Sequence, residues 1–131
     1  MNTVADSFRE IVAKKGKILV AGLGVTGTHT ALFLKAEGAI PVCIESKSED
    51  EYRVTKYWEA CEELLAAGIE CHFGVDESIL RPLLSGISLC ILSPGVHLTN
   101  PLVREIKASG IEIGGELELG VELAGLPSVV V

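Results

Sequence analysis

Gly22, Gly24 and Gly27 stand in a G-x-G-x-x-G pattern directly behind the apolar run Ile18-Leu19-Val20-Ala21. A turn of this kind between strand and helix leaves backbone N–H groups at a helix N-terminus, where the helix dipole favours a bound phosphate. A diphosphate-containing ligand is therefore the chemistry to expect. Glu45 lies 21 residues beyond Gly24, at the end of the next apolar run, near the spacing at which a carboxylate meets a ribose hydroxyl. On that reading Glu45 holds the ribose diol of NAD, while Lys47 favours a phosphate or another anionic group. The plainer alternative is that the glycines only allow tight packing of strand on helix.

A second group of polar residues follows a later apolar run, in Ser93-Pro94-Gly95-Val96-His97. Ligands of open parallel sheets bind beyond the carboxyl ends of the strands, so this turn is expected beside the glycine loop, offering the Ser93 hydroxyl and backbone N–H groups. A plain turn ahead of the next helix explains it equally well. His29 and His72 read as ordinary structural histidines. A dehydrogenase needs an acid or base beside the nicotinamide, usually from a second domain. No nucleophile–base pair and no metal-ligand cluster stands out, so nothing here performs chemistry unaided. Cys43, Cys61, Cys71 and Cys90 are scattered without a C-x-x-C pair and read as buried thiols of a cytosolic protein.

The elements that position these groups alternate regularly. Val4, Phe8, Ile11 and Val12 fall at helical spacing, so residues 1–15 hold a short amphipathic helix. Strands are expected at Lys17–Ala21, Ala39–Ile44, Ile69–Phe73, Ile87–Leu92 and Ile111–Ile113. Between them lie a helix ending near Glu37, a polar loop over 45–51, and one helix from Tyr52 to Ala67 with Val54, Trp58, Cys61 and Leu65 on its apolar face. A brief helix around Pro82 and another opened by Asn100-Pro101 complete the series. Such alternation implies right-handed crossovers and an α/β, Rossmann-like, doubly wound parallel five-stranded sheet with helices on both faces. Residues 116–124 fit a strand by periodicity and a helix by composition. Gly125-Leu126-Pro127 reads as a linker, and Ser128–Val131 as the first strand of a truncated further domain, so the main domain is expected at 16–124.

Composition narrows the class. The 131 residues are 48% hydrophobic and 22% charged, which suits one globular domain. A net charge of −7 excludes nucleic acid as the expected partner and leaves any anionic ligand to local donors. No segment has the length of a membrane span, and no secretory signal opens the chain, so a cytoplasmic protein with no membrane partner is expected.

Taken in order, Gly22-Leu23-Gly24-Val25-Thr26-Gly27, Ser93-Pro94-Gly95-Val96, Asn100-Pro101-Leu102, Gly110-Ile111-Glu112-Ile113 and Gly115-Glu116-Leu117-Glu118-Leu119 resemble the N-terminal domain of the D-glutamate-adding Mur ligases of peptidoglycan synthesis. The resemblance runs over residues 16–131. The L-alanine-adding neighbours usually carry consecutive glycines and then methionine in the loop, where this chain has Val25-Thr26. The resemblance implies a full enzyme that uses ATP and Mg2+ to phosphorylate the carboxylate of UDP-N-acetylmuramoyl-L-alanine, after which the D-glutamate amine forms the amide. It implies downstream ATP-binding and D-glutamate-binding domains, and no cofactor or catalysis in these residues alone. By the same resemblance Gly24, Val25, Thr26 and Gly27 lie against the diphosphate and its sugar. Glu45, Ser46 and Lys47 match the acidic-x-basic segment that contacts the uridine, although the family more often has aspartate at the first position. Ser93, Pro94 and Gly95 wall the uracil. Two other readings stand beside this one: an NAD(P)-binding domain of an oxidoreductase or regulatory NAD sensor, and a Rossmann-like interaction module with an empty loop.

Overall fold

The computed structural model describes residues 4–93, 96 and 99–115, with Ala5, Val25 and Thr26 described by backbone alone. Helix α1 (Val4–Ala13) precedes strand β1 (Lys17–Ala21), helix α2 (Val25–Ala36) and strand β2 (Ile40–Ile44). Two short helices follow, α3 (Glu49–Arg53) and α4 (Trp58–Ala66), then strand β3 (Glu70–His72). The chain continues through α5 (Glu77–Leu83), β4 (Ile87–Leu92), α6 (Pro101–Ala108) and β5 (Glu112–Gly115).

All strand pairs are parallel, in the order β3-β2-β1-β4-β5. The reason lies in the composition of the three central strands. Ile18, Leu19 and Val20 of β1 are wholly buried, so the sheet needs cover on both faces, and only helical crossovers between parallel strands supply it. Alternate residues then divide between two cores. Ile18, Val20, Cys43, Leu89 and Ile91 pack with α1, α2 and α4 through Phe8, Ala31, Leu34 and Leu64. Leu19, Ala21, Val42, Ile44, Cys90 and Leu92 pack on the opposite face with α5 and α6 through Leu80, Val103 and Ile106. Register fixes this division, because a slip of one residue turns every side chain to the other face. Leu19 lies level with Val42 on one side and with Cys90 on the other.

Strand order reverses at β1: the chain builds outward through β2 and β3, then crosses back to place β4 on the other side. In open α/β sheets the crevice outside the carboxyl ends at such a switch point is where ligands bind. The five expected strands and the helices on both faces are all present. The expected single helix over Tyr52–Ala67 is not, and the expected polar loop over 45–51 is helical from Glu49. Ser48 caps α3 by accepting the Glu51 N–H at 3.2 Å, while the Glu51 carboxylate accepts the Ser48 N–H at 3.2 Å. The helix then stops because Thr55 competes for the backbone: its hydroxyl donates to the Tyr52 carbonyl at 2.7 Å and accepts the Tyr57 N–H at 3.3 Å. Val54, expected on an apolar face, is 87% exposed.

Pro82 lies inside α5, which opens earlier than expected on an Asp76 cap whose carboxylate accepts the Ile79 N–H at 2.9 Å. The residues read as helix or strand at 116–124, and the linker and strand read at 125–131, lie outside the described residues. None of the described helices is long and apolar enough to cross a membrane. The four cysteines are free thiols. Burial holds the Cys90 thiol up at about 12, so it is an inert core group.

Candidate functional site

The three glycines of the loop do three different things. Gly22 has φ +95, and a Cβ there would meet Val96 Cγ2 at 2.8 Å and Ser93 Cβ at 3.1 Å. It is the tight turn, pressed against the end of β4. Gly27 sits in the first turn of α2, where a Cβ would lie 2.1 Å from the Gly22 carbonyl oxygen and 2.8 Å from Ser93 Oγ. It is the packing glycine that lets helix and strand touch. A Cβ on Gly24 would meet nothing within 4 Å. Gly24 is the N-cap of α2 and faces open space, the position at which a ligand's backbone approach is needed.

That open space is a cleft of about 560 Å³. One wall is the loop itself, Ala21 to Gly24, continued by Ser93 and Val96 at the end of β4. The carboxyl end of β2 supplies Glu45, Ser46 and Lys47. The far wall is formed by Tyr52, Thr55 and Tyr57 on one side and by Asn100, Leu102, Val103 and Ile106 of α6 and its cap on the other. The site thus combines a helix N-terminus, a lysine and several hydroxyls with an apolar back, a mixture suited to an anionic ligand that carries a flat or apolar part.

Of the residues expected to bind, Gly24, Glu45, Ser46, Lys47 and Ser93 line this one cleft. Gly27 does not line it; it lies beneath, in the helix–strand contact. Val25 and Thr26 open α2 as its first two residues, and by helix geometry their N–H groups and that of Gly27 have no partner within the helix. Pro94, Gly95 and His97 lie outside the described residues. His29 is exposed on α2, and His72 ends β3 with its ring Nε2 2.6 Å from the Glu70 carboxylate.

Hydrogen bonds hold the loop from several sides. The Gly22 N–H donates to the Ile44 carbonyl at 3.0 Å, and the Ser93 N–H to the Ala21 carbonyl at 3.1 Å. Ser93 Oγ donates to the Gly22 carbonyl at 3.1 Å. Its hydroxyl therefore serves the loop's geometry as well as facing the cleft. Tyr52 is 1% exposed, and burial pushes its phenol far above the usual range, with the nearby Cys61 thiol and Glu45 carboxylate adding to the shift. It is a neutral hydroxyl donor at any physiological pH.

Sequence reasoning missed Tyr52, Thr55, Tyr57 and the α6 residues of the cleft. The Ser48-x-x-Glu51 capping box could have found the first three, because it marks a helix start at residue 49 and so a break before Trp58. Among the described residues no three His, Cys, Asp or Glu side chains gather to hold a metal ion.

Strand order 3-2-1-4-5, a glycine loop at the switch point and helices on both faces define a Rossmann-like α/β domain. Residues 16–115 match the model of the Mur ligase MurD-like N-terminal domain, and the chain belongs to that family. It is 35% identical over 114 residues to the UDP-N-acetylmuramoylalanine--D-glutamate ligase of Caldanaerobacter subterraneus subsp. tengcongensis, covering 87% of this chain and 24% of that protein. To the ligase of the same name from Alkaliphilus metalliredigens it is 38% identical over 111 residues, covering 85% and 23%. The chain thus spans about a quarter of the length of the curated relatives it matches. The crystal structure of a dipicolinate synthase polypeptide from Bacillus halodurans is also similar, with a TM-score of 0.49 and 14% identity over 92% of this chain and 54% of that one.

Proposed function

We propose that this chain grips the uridine-diphosphate end of UDP-N-acetylmuramoyl-L-alanine for a cytoplasmic, ATP-dependent ligase that adds D-glutamate in peptidoglycan synthesis. The observation that carries the reading is Gly24: it is open to the cleft at the head of α2, at the switch point of the sheet. Membership of the MurD-like family, and the name UDP-N-acetylmuramoylalanine--D-glutamate ligase of the relatives matched, support this ligand class. In this reading the diphosphate lies across Gly24 and the N–H groups of Val25, Thr26 and Gly27, with Lys47 giving a positive charge at the end of β2. The uridine lies along Glu45, Ser46, Ser93, Pro94 and Gly95. ATP, Mg2+ and D-glutamate belong to domains beyond these residues, and the chain alone joins nothing.

Isothermal titration of the chain with UDP-N-acetylmuramoyl-L-alanine, UDP and NAD tests this directly. Binding of the uridine nucleotides without NAD is the expected outcome. NAD binding without any uridine nucleotide overturns it in favour of an oxidoreductase domain or NAD sensor.

A further inference from the structure

Both polar groups of the Leu23 peptide are taken by side chains from one short segment. Its N–H donates to Glu45 Oε1 at 3.2 Å, and its carbonyl accepts the Tyr52 hydroxyl at 2.5 Å. The second Glu45 oxygen accepts the Lys47 N–H at 2.9 Å and the Ser46 hydroxyl at 3.4 Å. Tyr52 is fixed in turn. Its ring packs on Phe73 at 5.2 Å and on the edge of Trp58 at 6.2 Å, and α3, which carries it, is anchored by the Ser48 capping box.

Resting on the nucleotide reading above, we propose that Glu45 and Tyr52 are positioning residues: a two-sided clamp on Leu23 holds Gly24 and the first turn of α2 ready for a diphosphate. Each clamp bond reaches the residue immediately before Gly24. A glycine loop left free must be ordered when a ligand binds, and that entropy subtracts from affinity; a loop already ordered avoids it. The same geometry changes the task of Glu45. A carboxylate whose two oxygens already accept backbone N–H groups holds the loop, in addition to lying along the uridine.

The clamp separates the two halves of the ligand, which makes it testable. Tyr52→Phe keeps the ring packing and removes one bond to Leu23. UDP and uridine are titrated into wild type and variant by NMR, with amide hydrogen exchange at Leu23 and Gly24 read in the absence of ligand. The expected result is a rise of about fivefold to tenfold in the Kd for UDP, the size of one hydrogen bond's net contribution. Uridine affinity stays within twofold, and exchange at Leu23 and Gly24 rises more than at Leu19 and Val20. Glu45→Ala removes the acceptor of the Leu23 N–H, and because it also removes a charge that repels a diphosphate it is read by exchange without ligand, which is expected to rise at Gly24 more than at Leu19 and Val20. A loss of uridine affinity in Glu45→Ala with wild-type exchange at Gly24 overturns the positioning role for Glu45 and makes it a ribose contact. Wild-type UDP affinity in Tyr52→Phe overturns the clamp alone. Wild-type protein that binds no UDP overturns the nucleotide reading and the role of the clamp in it.

Discussion

The two walls of the cleft are built on opposite plans. The loop wall, Gly22 to Gly24 with Ser93, is backbone held by hydrogen bonds, and its shape depends on side chains that are missing. The far wall, Tyr52, Thr55 and Tyr57 with Leu102 and Ile106, is side-chain surface supplied by α3 and the turn after it and by α6. Substitutions should therefore act differently on the two. In the glycine loop behind that wall a single methyl group decides between a large loss of stability and almost none, according to which glycine receives it. On the far wall the same change is graded.

The largest effect is expected at Gly27. A Cβ there stands 2.1 Å from the Gly22 carbonyl oxygen, a backbone atom that cannot swing aside. Gly27→Ala should lower stability by about 3 kcal/mol, the upper end of overpacking costs, measured as a fall in the urea midpoint at unchanged slope. Gly24→Ala, three residues away, should leave stability within about 0.5 kcal/mol because nothing lies within 4 Å of its Cβ. Its cost falls on the ligand instead: UDP affinity should drop at least tenfold, about 1.4 kcal/mol or more, in calorimetric titration. If both glycine variants lose stability alike, the division of labour in the loop is wrong.

Lys47 offers a finer test. It is exposed at the end of β2, so Lys47→Ala should not move the melting temperature. It should weaken UDP binding by about 1 kcal/mol, and the deficit should shrink as salt is raised, since an exposed charge is screened. A salt-independent deficit would mean that Lys47 acts through the loop and not on the phosphate.

This contrast between walls also explains what could be read from the chain. β1 at Lys17–Ala21 and β4 at Ile87–Leu92 were legible to the residue, because a strand buried on both faces is an unbroken apolar run. The loop wall was legible because only glycine satisfies a φ of +95 or a 2.1 Å approach, so the constraint is written in residue type. The far wall left no such mark. Val54, Trp58, Cys61 and Leu65 have the spacing of one helix face, and periodicity does not register the Thr55 hydroxyl that ends α3. Tyr52 and Leu23 are 29 residues apart, and no local pattern announces their hydrogen bond. Tyr52, Leu102, Val103 and Ile106 of the far wall are ordinary core formers by type; what makes them a wall is the empty space beside Gly24.

Asn100 stands where the two plans meet, and it gives the smallest and most discriminating prediction. Its side chain accepts the Leu102 N–H at 2.9 Å and caps α6, whose first residue, Pro101, has no N–H to satisfy. The same residue lines the cleft. Asn100→Ala should cost about 1 kcal/mol of stability through the lost cap. Asn100→Asp keeps an acceptor at the cap and adds a negative charge at a helix N-terminus, so stability should hold or rise by a few tenths of a kcal/mol, about the lower range of such dipole effects. That charge also faces the cleft. If the cleft receives a diphosphate, the aspartate variant should be as stable as wild type or more so, yet bind UDP more weakly, with the difference diminishing in high salt. A variant that is stabilised and binds UDP unchanged would put the anion away from α6, confining it to the loop wall and leaving the far wall to the uncharged part of the ligand.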